Sequence, residues 1–159
     1  MSEEVLKLIP EDKSYIPDEG QAEKARVLLE DFFPDGEQAE IQFSEHLMFI
    51  DGGENTVKVG CSICATESDL NDEVNTEWWC KLDAQTSPED ANIEAIEVAM
   101  PCCNKSTSIQ NIDYFGSVGF AKFELCIWNP YADDGISDQQ IKQLETLLGC
   151  KLKQVWAHY

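Results

Sequence analysis

Several features that mark membrane proteins and common enzymes are missing from this sequence. No run of about 18 apolar residues occurs, which argues against a membrane-spanning helix. The opening residues 1–4 lack the basic and apolar segments of a secretory signal, so we predict that the chain stays in the cytoplasm. No Gly-x-Ser-x-Gly, phosphate-binding loop or His-Glu-x-x-His motif is present. The sequence therefore predicts no catalytic residue.

Basic side chains are also scarce. The chain has 11 Lys and Arg against 31 Asp and Glu, which gives a formal net charge of −20. Residues 1–100 hold 25 of the acids and only six of the bases. Such a field repels phosphate backbones, so we predict no direct binding to nucleic acid. The acids are interpreted first as keeping the protein soluble, and the alternative is an acidic docking surface for a basic protein partner.

Length and hydrophobic content predict one domain. A chain of 159 residues that is 43% hydrophobic closes one sizeable core and leaves little for a second. We therefore predict a single domain over residues 1–159, with an inserted element at 56–105. The seven cysteines, an odd number, would stay reduced in the cytoplasm, which favours metal binding over disulfides.

Two cysteine pairs are the strongest functional signal. Cys61 and Cys64 form a Cys-x-x-Cys motif, and Cys102 and Cys103 are adjacent. Two close pairs of thiolates can meet at one tetrahedral zinc ion, each pair being supplied by one short turn. We predict that these four cysteines bind a structural Zn²⁺ in a zinc-ribbon-like insertion.

The second pair is the less usual one, because successive side chains diverge in extended backbone. A turn at Cys103 and Asn104 would have to bring its two thiols together. Cys80 or His46 is the reserve fourth ligand. Without that role His46 is expected to be a structural residue on a strand, and His158 is expected to have a structural role near the C-terminal residue.

A redox role for Cys61 and Cys64 is a competing interpretation. Such a pair works best at a helix N-terminus, where the cysteine pKa falls, whereas here the acids Glu67 and Asp69 follow and would raise it. Zinc binding is therefore the preferred interpretation. The remaining cysteines in apolar stretches, Cys126 and Cys150, are expected to be ordinary buried thiols.

Hydrophobic periodicity predicts an α+β fold with a mostly antiparallel sheet and two main helices. The predicted strands lie at 5–9, 41–49, 56–59, 96–100, 119–128 and 152–159, and the helices begin near Pro17 and Ser137. The strand at 56–59 is expected to form a hairpin with the strand at 41–49 and to carry Cys61 at its end. Without its middle, the chain has the order β-α-β followed by β-α-β, which suits a ferredoxin-like sandwich, although another antiparallel order fits equally well.

The acidic segment 65–95 is predicted to contain a short helix that covers one side of the metal site. Its apolar side chains are Val74, Trp78, Trp79 and Leu82. The two tryptophans are interpreted as packing residues, with a partner-binding hot spot as the alternative.

Several short motifs occur together from Cys61 onward. They are Cys61-x-x-Cys64, Trp78-Trp79, Pro101-Cys102-Cys103 leading to Ser108 and Tyr114, Gly119-Phe120-Ala121-x-Phe123, Asn129-Pro130, Leu147-Leu148-Gly149-Cys150 and Val155-Trp156-Ala157-His158-Tyr159. In these motifs the chain resembles a family of uncharacterised bacterial proteins. The resemblance implies a zinc-ribbon-like element and assigns no activity.

The chain departs from that family pattern at two places. Members usually have glycine after the second cysteine pair, where this chain has Asn104, a residue that also tolerates a left-handed turn. The Trp-Pro that commonly precedes Gly-Phe-Ala is replaced by Gly116-Ser117-Val118. The first departure leaves the metal-binding turn intact, and the second affects local packing.

These features predict a zinc-stabilised, acidic protein-interaction module, for example an immunity-type protein that binds a basic toxin. The alternative is an enzyme whose metal is catalytic or whose cleft uses carboxylates. Four cysteines would fill the coordination of a zinc ion and leave no open position for a substrate, which favours the first prediction.

Overall fold

The computed structural model describes residues 2–159 and has eight strands and three α-helices. In chain order they are β1 (Glu4–Pro10), α1 (Glu19–Phe32), β2 (Glu40–Ile50), β3 (Lys58–Gly60), β4 (Glu67–Asp69), α2 (Glu73–Thr86), β5 (Glu97–Ala99), β6 (Ser106–Ser108), β7 (Gly119–Trp128), α3 (Asp138–Leu148) and β8 (Leu152–His158). Two short 3₁₀ turns lie at Ile93–Ala95 and Ile109–Asn111. Within residues 2–159, none of the helices combines the length and apolar character needed to cross a lipid bilayer.

Four strands form the main sheet, in the order β2-β7-β1-β8, and every neighbouring pair is antiparallel. The predicted α+β class with a mostly antiparallel sheet is therefore confirmed. Strand β7 is internal in this order and pairs with β2 and β1. With α1 between β1 and β2, and α3 between β7 and β8, the chain has the predicted β-α-β and β-α-β order. Its assignment to a ferredoxin-like class stays a prediction.

Local sequence signals explain where α1 and α3 begin and end. Asp18 caps α1 and Ser137 caps α3, each with a capping box completed by a glutamine three residues later. Gly149 ends α3 with a φ of 74°, a conformation that glycine adopts without steric cost. The two helices bury Ala22, Ala25, Leu29, Leu144 and Leu148 against Leu6, Leu8, Phe123, Leu125 and Ile127 of the sheet. This cluster is the main hydrophobic core.

The segment 51–118 connects β2 to β7 and forms a second hydrophobic cluster of its own. That cluster includes Val59, Leu70, Leu82, Val98, Met100, Ile109 and Tyr114, and it packs against Leu47, Phe49 and Phe120 of the sheet. The predicted insertion, 56–105, lies inside this segment. The helix predicted within 65–95 is present as α2, but it is longer than expected, with 14 residues, as many as α1.

The predicted hairpin between the second and third strands was wrong, because β3 pairs with β4. The turn after β2 is held by the other end of the chain. Gly53 forms a bridge with His158, and the backbone N–H of Glu54 donates to the His158 carbonyl at 2.8 Å. These bonds direct residues 51–57 away from β2, so the chain starts a separate small sheet.

Candidate metal centre

The four predicted cysteines lie at the tips of two small hairpins. The first hairpin is β3–β4, and its turn carries Cys61 and Cys64. The second is β5–β6, and its turn carries Cys102 and Cys103. Both turns belong to the segment 51–118, whose hydrophobic cluster holds the two hairpins together. The site therefore depends on contacts between parts of the chain about 40 residues apart.

The four sulfurs form one compact group. All four Sγ atoms lie within 4.8 Å of one another. The Cys61 and Cys103 sulfurs are 3.9 Å apart, and the Cys64 and Cys102 sulfurs are 3.3 Å apart. A tetrahedral zinc ion with Zn–S bonds of about 2.3 Å holds its sulfurs about 3.8 Å from one another. The group is thus close enough to hold one metal ion, and its spacing fits a four-thiolate site.

The turns achieve this convergence with one left-handed residue each. Ala65 follows the first pair with a φ of 61°, and Asn104 follows the second pair with a φ of 58°. The sequence called for a turn at Cys103 and Asn104, and the structure has it. Because the chain reverses there, the side chains of adjacent Cys102 and Cys103 can reach the same point.

Burial divides the site into an inner and an outer half. Cys61 is buried, with 5% of its surface exposed, and Cys103 is partly buried. Cys64 and Cys102 are exposed. The Cys61 sulfur also accepts the backbone N–H of Ile63 at 3.4 Å, a contact that stabilises a thiolate. A metal ion in this site would face the protein interior on the side of Cys61 and Cys103 and solvent on the side of Cys64 and Cys102.

The outer cysteines differ in acidity. The hydroxyl and backbone N–H of Thr66 lower the pKa of Cys64 to about 6, because both stabilise the thiolate. Desolvation, followed by the neighbouring Cys64 thiol, raises the pKa of Cys102 to about 12. The expectation that nearby acids raise the pKa of this first pair was wrong for Cys64, because the hydrogen bonds of Thr66 lower it. A metal that binds all four thiolates must displace the Cys102 proton.

Neither reserve ligand joins the group. Cys80 is exposed on α2, and His46 is exposed on β2. The metal-competent group that includes the four predicted cysteines contains no other residue.

Burial raises the pKa of Cys126 to about 12 and that of the half-buried Cys150 to about 11, which keeps both protonated at neutral pH.

Helix α2 lies against the second hairpin and fixes the position of its turn. The indole N–H of Trp78 donates to the carbonyl of Ala99 at 2.8 Å, one residue before the turn begins. The Trp79 ring packs against the rings of Phe49 and Tyr114, with centroid distances of 6.4 and 6.2 Å. Both indoles are half-buried, so these contacts favour the packing interpretation over the partner hot spot.

A polar cluster that was not predicted from the sequence lies on the sheet face opposite the helices. A cavity of about 410 Å³ there is lined by Lys7, Glu40, Gln42 and Glu124. Period-2 alternation places Lys7 and Glu124 on one face of β1 and β7, which is the signal that could have found them. Glu40 and Glu124 give this cavity two carboxylates.

Comparison with known proteins adds no relative: no family model, curated protein or solved structure matches this chain.

Proposed function

We propose that the protein is a cytoplasmic, zinc-stabilised interaction module that presents an acidic surface to a basic protein. One observation supports the proposal most directly: four cysteine sulfurs within 4.8 Å of one another at the tips of two hairpins. The resemblance to the bacterial family with a zinc-ribbon-like element agrees with it. We propose membership of that family on the same motifs.

Zinc is the proposed metal because four thiolates in two turns are its typical structural ligand set. A site with four protein ligands is closed, so its role is to stabilise the fold. The segment 51–118 has three-residue strands and a small hydrophobic cluster, which provide little stability alone. Zinc binding of roughly 10–16 kcal/mol, as in zinc-finger peptides, would be enough to hold the two hairpins together.

The acidic surface of the same segment supports the partner class. Residues 51–118 contain 13 Asp and Glu and three Lys and Arg. The acids between β4 and β5, with those strands included, are all exposed: Glu67, Asp69, Asp72, Glu73, Glu77, Asp83, Glu89, Asp90, Glu94 and Glu97. Four metal-bound thiolates would add a further net negative charge. Such a field steers a basic protein toward this surface and repels nucleic acid.

Metal analysis of protein purified without added zinc tests the metal. We expect one zinc per chain, and a Cys103→Ser variant that loses both the zinc and the order of the segment. Cys80→Ser is the matched control, because Cys80 is an exposed cysteine outside the group. Protein that folds fully with no bound metal, and binds none when zinc is supplied, would refute the proposed site.

The partner class is tested by affinity capture from the source cells, with elution in salt steps. We expect the captured proteins to be basic and to elute in the first salt steps, because salt screens the attraction between exposed charges. Changing Glu73, Glu77 and Asp83 to their amides should reduce this capture. The same change at Glu19, Asp31 and Asp35, which are exposed outside the segment, is the matched control. Capture of acidic proteins only, or equal loss in both variants, would contradict an acidic docking surface.

The same cysteine variants separate this proposal from the enzyme alternative. Loss of a ligand from a structural site unfolds the segment, whereas loss from a catalytic site leaves a folded and inactive protein. Circular dichroism of Cys61→Ser, the most buried ligand, gives the clearest readout. A native spectrum together with lost zinc would favour the enzyme.

A further inference from the structure

We infer that the metal site is built from two copies of one hairpin unit. In the second copy, Met100 occupies the position that holds a ligand cysteine in the first, and Cys102 supplies the missing thiolate from a different position. The inference rests on the proposed metal site and specifies how its four ligands differ. It makes Cys102 the weakest ligand and the one that the site can best replace.

The two hairpins have the same backbone hydrogen bonds at a constant offset of 39 residues. In the first turn, the N–H of Cys61 donates to Thr66 O at 2.9 Å, and the N–H of Ala65 donates to Cys61 O at 3.0 Å. In the second, the N–H of Met100 donates to Lys105 O at 2.9 Å, and the N–H of Asn104 donates to Met100 O at 2.9 Å. The left-handed residues, Ala65 and Asn104, have the same offset.

The correspondence extends through both hairpins. Leu70 N–H donates to Val57 O at 2.9 Å, and Ile109 N–H donates to Ile96 O at 3.1 Å, again 39 residues apart. The paired strands match as well: Gly60 pairs with Glu67, and Ala99 pairs with Ser106. The buried residues of the first unit, Val59, Ser68 and Leu70, correspond to the buried Val98, Thr107 and Ile109. The segments 57–70 and 96–109 are therefore structural equivalents.

This equivalence shows that the ligands do not occupy the same places in the two units. Cys64 corresponds to Cys103. Cys61 corresponds to Met100, and both are buried in the same hydrophobic cluster, with 5% and 1% of their surfaces exposed. Cys102 corresponds to Ile63, which is 42% exposed. The second unit thus has no thiol at its inner ligand place and supplies one from an outer place.

The energetic consequence is a ranking of the ligands. Cys61, Cys64 and Cys103 lie at the two places that the repeated turn uses for ligands. Cys102 lies at an exposed position of the second turn. The corresponding residue of the first turn is Ile63, which is exposed and is not a ligand. Cys61 is buried, Cys103 is partly buried and the Cys64 sulfur contacts the Thr66 hydroxyl, whereas Cys102 is exposed and its sulfur contacts only that of Cys64, so its loss should weaken the site least. A cysteine introduced at Met100 would stand at the inner place and should make Cys102 unnecessary.

Competition for zinc against a chromophoric chelator tests the ranking in the full chain. We expect both Cys102→Ser and Cys103→Ser to reduce zinc affinity. The reduction caused by Cys103→Ser should be larger by roughly tenfold or more. The double variant Met100→Cys/Cys102→Ser should regain most of the affinity that Cys102→Ser loses. Met100→Ala/Cys102→Ser is its matched control, because it also removes the methionine volume and adds no thiol.

A transfer in the opposite direction gives an independent test that does not change the second hairpin. The double variant Cys61→Met/Ile63→Cys gives the first turn the ligand pattern of the second. We expect it to bind zinc more tightly than Cys61→Met alone. Circular dichroism of each variant with zinc bound shows which ones are folded for the comparison.

The outcomes separate this inference from the proposed function. A wild-type chain that binds no zinc overturns both. A wild-type chain that binds zinc, with equal losses in Cys102→Ser and Cys103→Ser, leaves the metal site standing and overturns the inference. The comparison of these two single variants is decisive even if the Met100 variants do not fold.

Discussion

The ammonium of Lys7 lies 3.1 Å from a carboxylate oxygen of Asp51 and 2.8 Å from the hydroxyl of Tyr159. It also donates to the Asp51 carbonyl at 2.8 Å, so all three of its protons have acceptors. Burial alone would lower the pKa of Lys7, but Asp51 and Tyr159 outweigh burial and raise it above its ordinary value. The contact joins β1 to the residue after β2 and to the C-terminal residue, and thus closes the sheet at the entry to the segment 51–118.

Replacing Asp51 with alanine should destabilise the protein. The change removes a hydrogen-bonded partner from a buried charge, which costs roughly 1.5–3 kcal/mol. Urea unfolding measures it, and Asp90→Ala, at an exposed acid, should change the unfolding free energy by no more than about 0.5 kcal/mol. A similarly small change for Asp51→Ala would show that solvent and Tyr159 satisfy Lys7 without the carboxylate.

Elements that follow local rules could be predicted from the sequence. The capping box at Ser137 and the glycine at position 149 mark both ends of α3 because each satisfies backbone groups within its own turn. The alternating pattern from Gly119 to Trp128 predicts a strand because one of its faces, Ala121, Phe123, Leu125 and Ile127, is apolar throughout and has to be buried. The cysteine spacing predicts the ligand set for a similar reason, since each pair lies within one turn.

Long-range contacts explain what could not be predicted. The residues after β2 look like a hairpin turn, but contacts with His158, at the far end of the chain, direct them elsewhere. The length of α2 was missed because it buries little besides Leu82, which leaves a weak periodic signal. The sequence showed that Asn104 permits a left-handed turn, but the matching turn at Ala65 appears only in three dimensions.

Replacing Ala65 with glycine should stabilise the protein. An alanine at a φ of 61° is sterically strained, and a glycine is not. Glycine also makes the unfolded chain more flexible, which offsets part of this benefit, so we expect the free energy of unfolding to rise by roughly 0.5–1 kcal/mol. The matched control is Ala84→Gly in α2, which should cost about 1 kcal/mol. Thermal unfolding at a fixed zinc concentration compares them. Destabilisation by both changes would mean that the Ala65 turn is not strained.

The half-buried carboxyl of Glu124 should make stability depend on pH. Burial raises its pKa above the ordinary 4.5, and the attraction of Lys7 only partly offsets this. Between 4.5 and the raised pKa, the folded state binds more protons than the unfolded state, so stability falls as pH rises through that window. Glu124→Gln removes this fall. The variant should match the wild type below pH 4.5 and be more stable than it at neutral pH.

Urea unfolding across this pH range measures the difference, with Glu97→Gln as the matched control at an exposed acid of β5. A variant less stable than the wild type at neutral pH would show that the Glu124 carboxylate stabilises Lys7 by more than its own burial costs.

Removal of the metal should unfold the segment 51–118 and leave the main sheet folded. The two hydrophobic clusters are separate, because the helices α1 and α3 cover one face of the sheet while the segment packs on Leu47, Phe49 and Phe120. The thiolates lie only in the segment, so the sheet loses no direct contact when the ion leaves.

Hydrogen exchange with and without a chelator measures this separate unfolding of the segment. We expect protection to fall in 57–70 and 96–109 and to persist in β1, β7 and β8. Loss of protection in β7 at the same chelator concentration would instead mean that the two clusters unfold as one cooperative unit, because Phe120 belongs to β7 and contacts the segment directly.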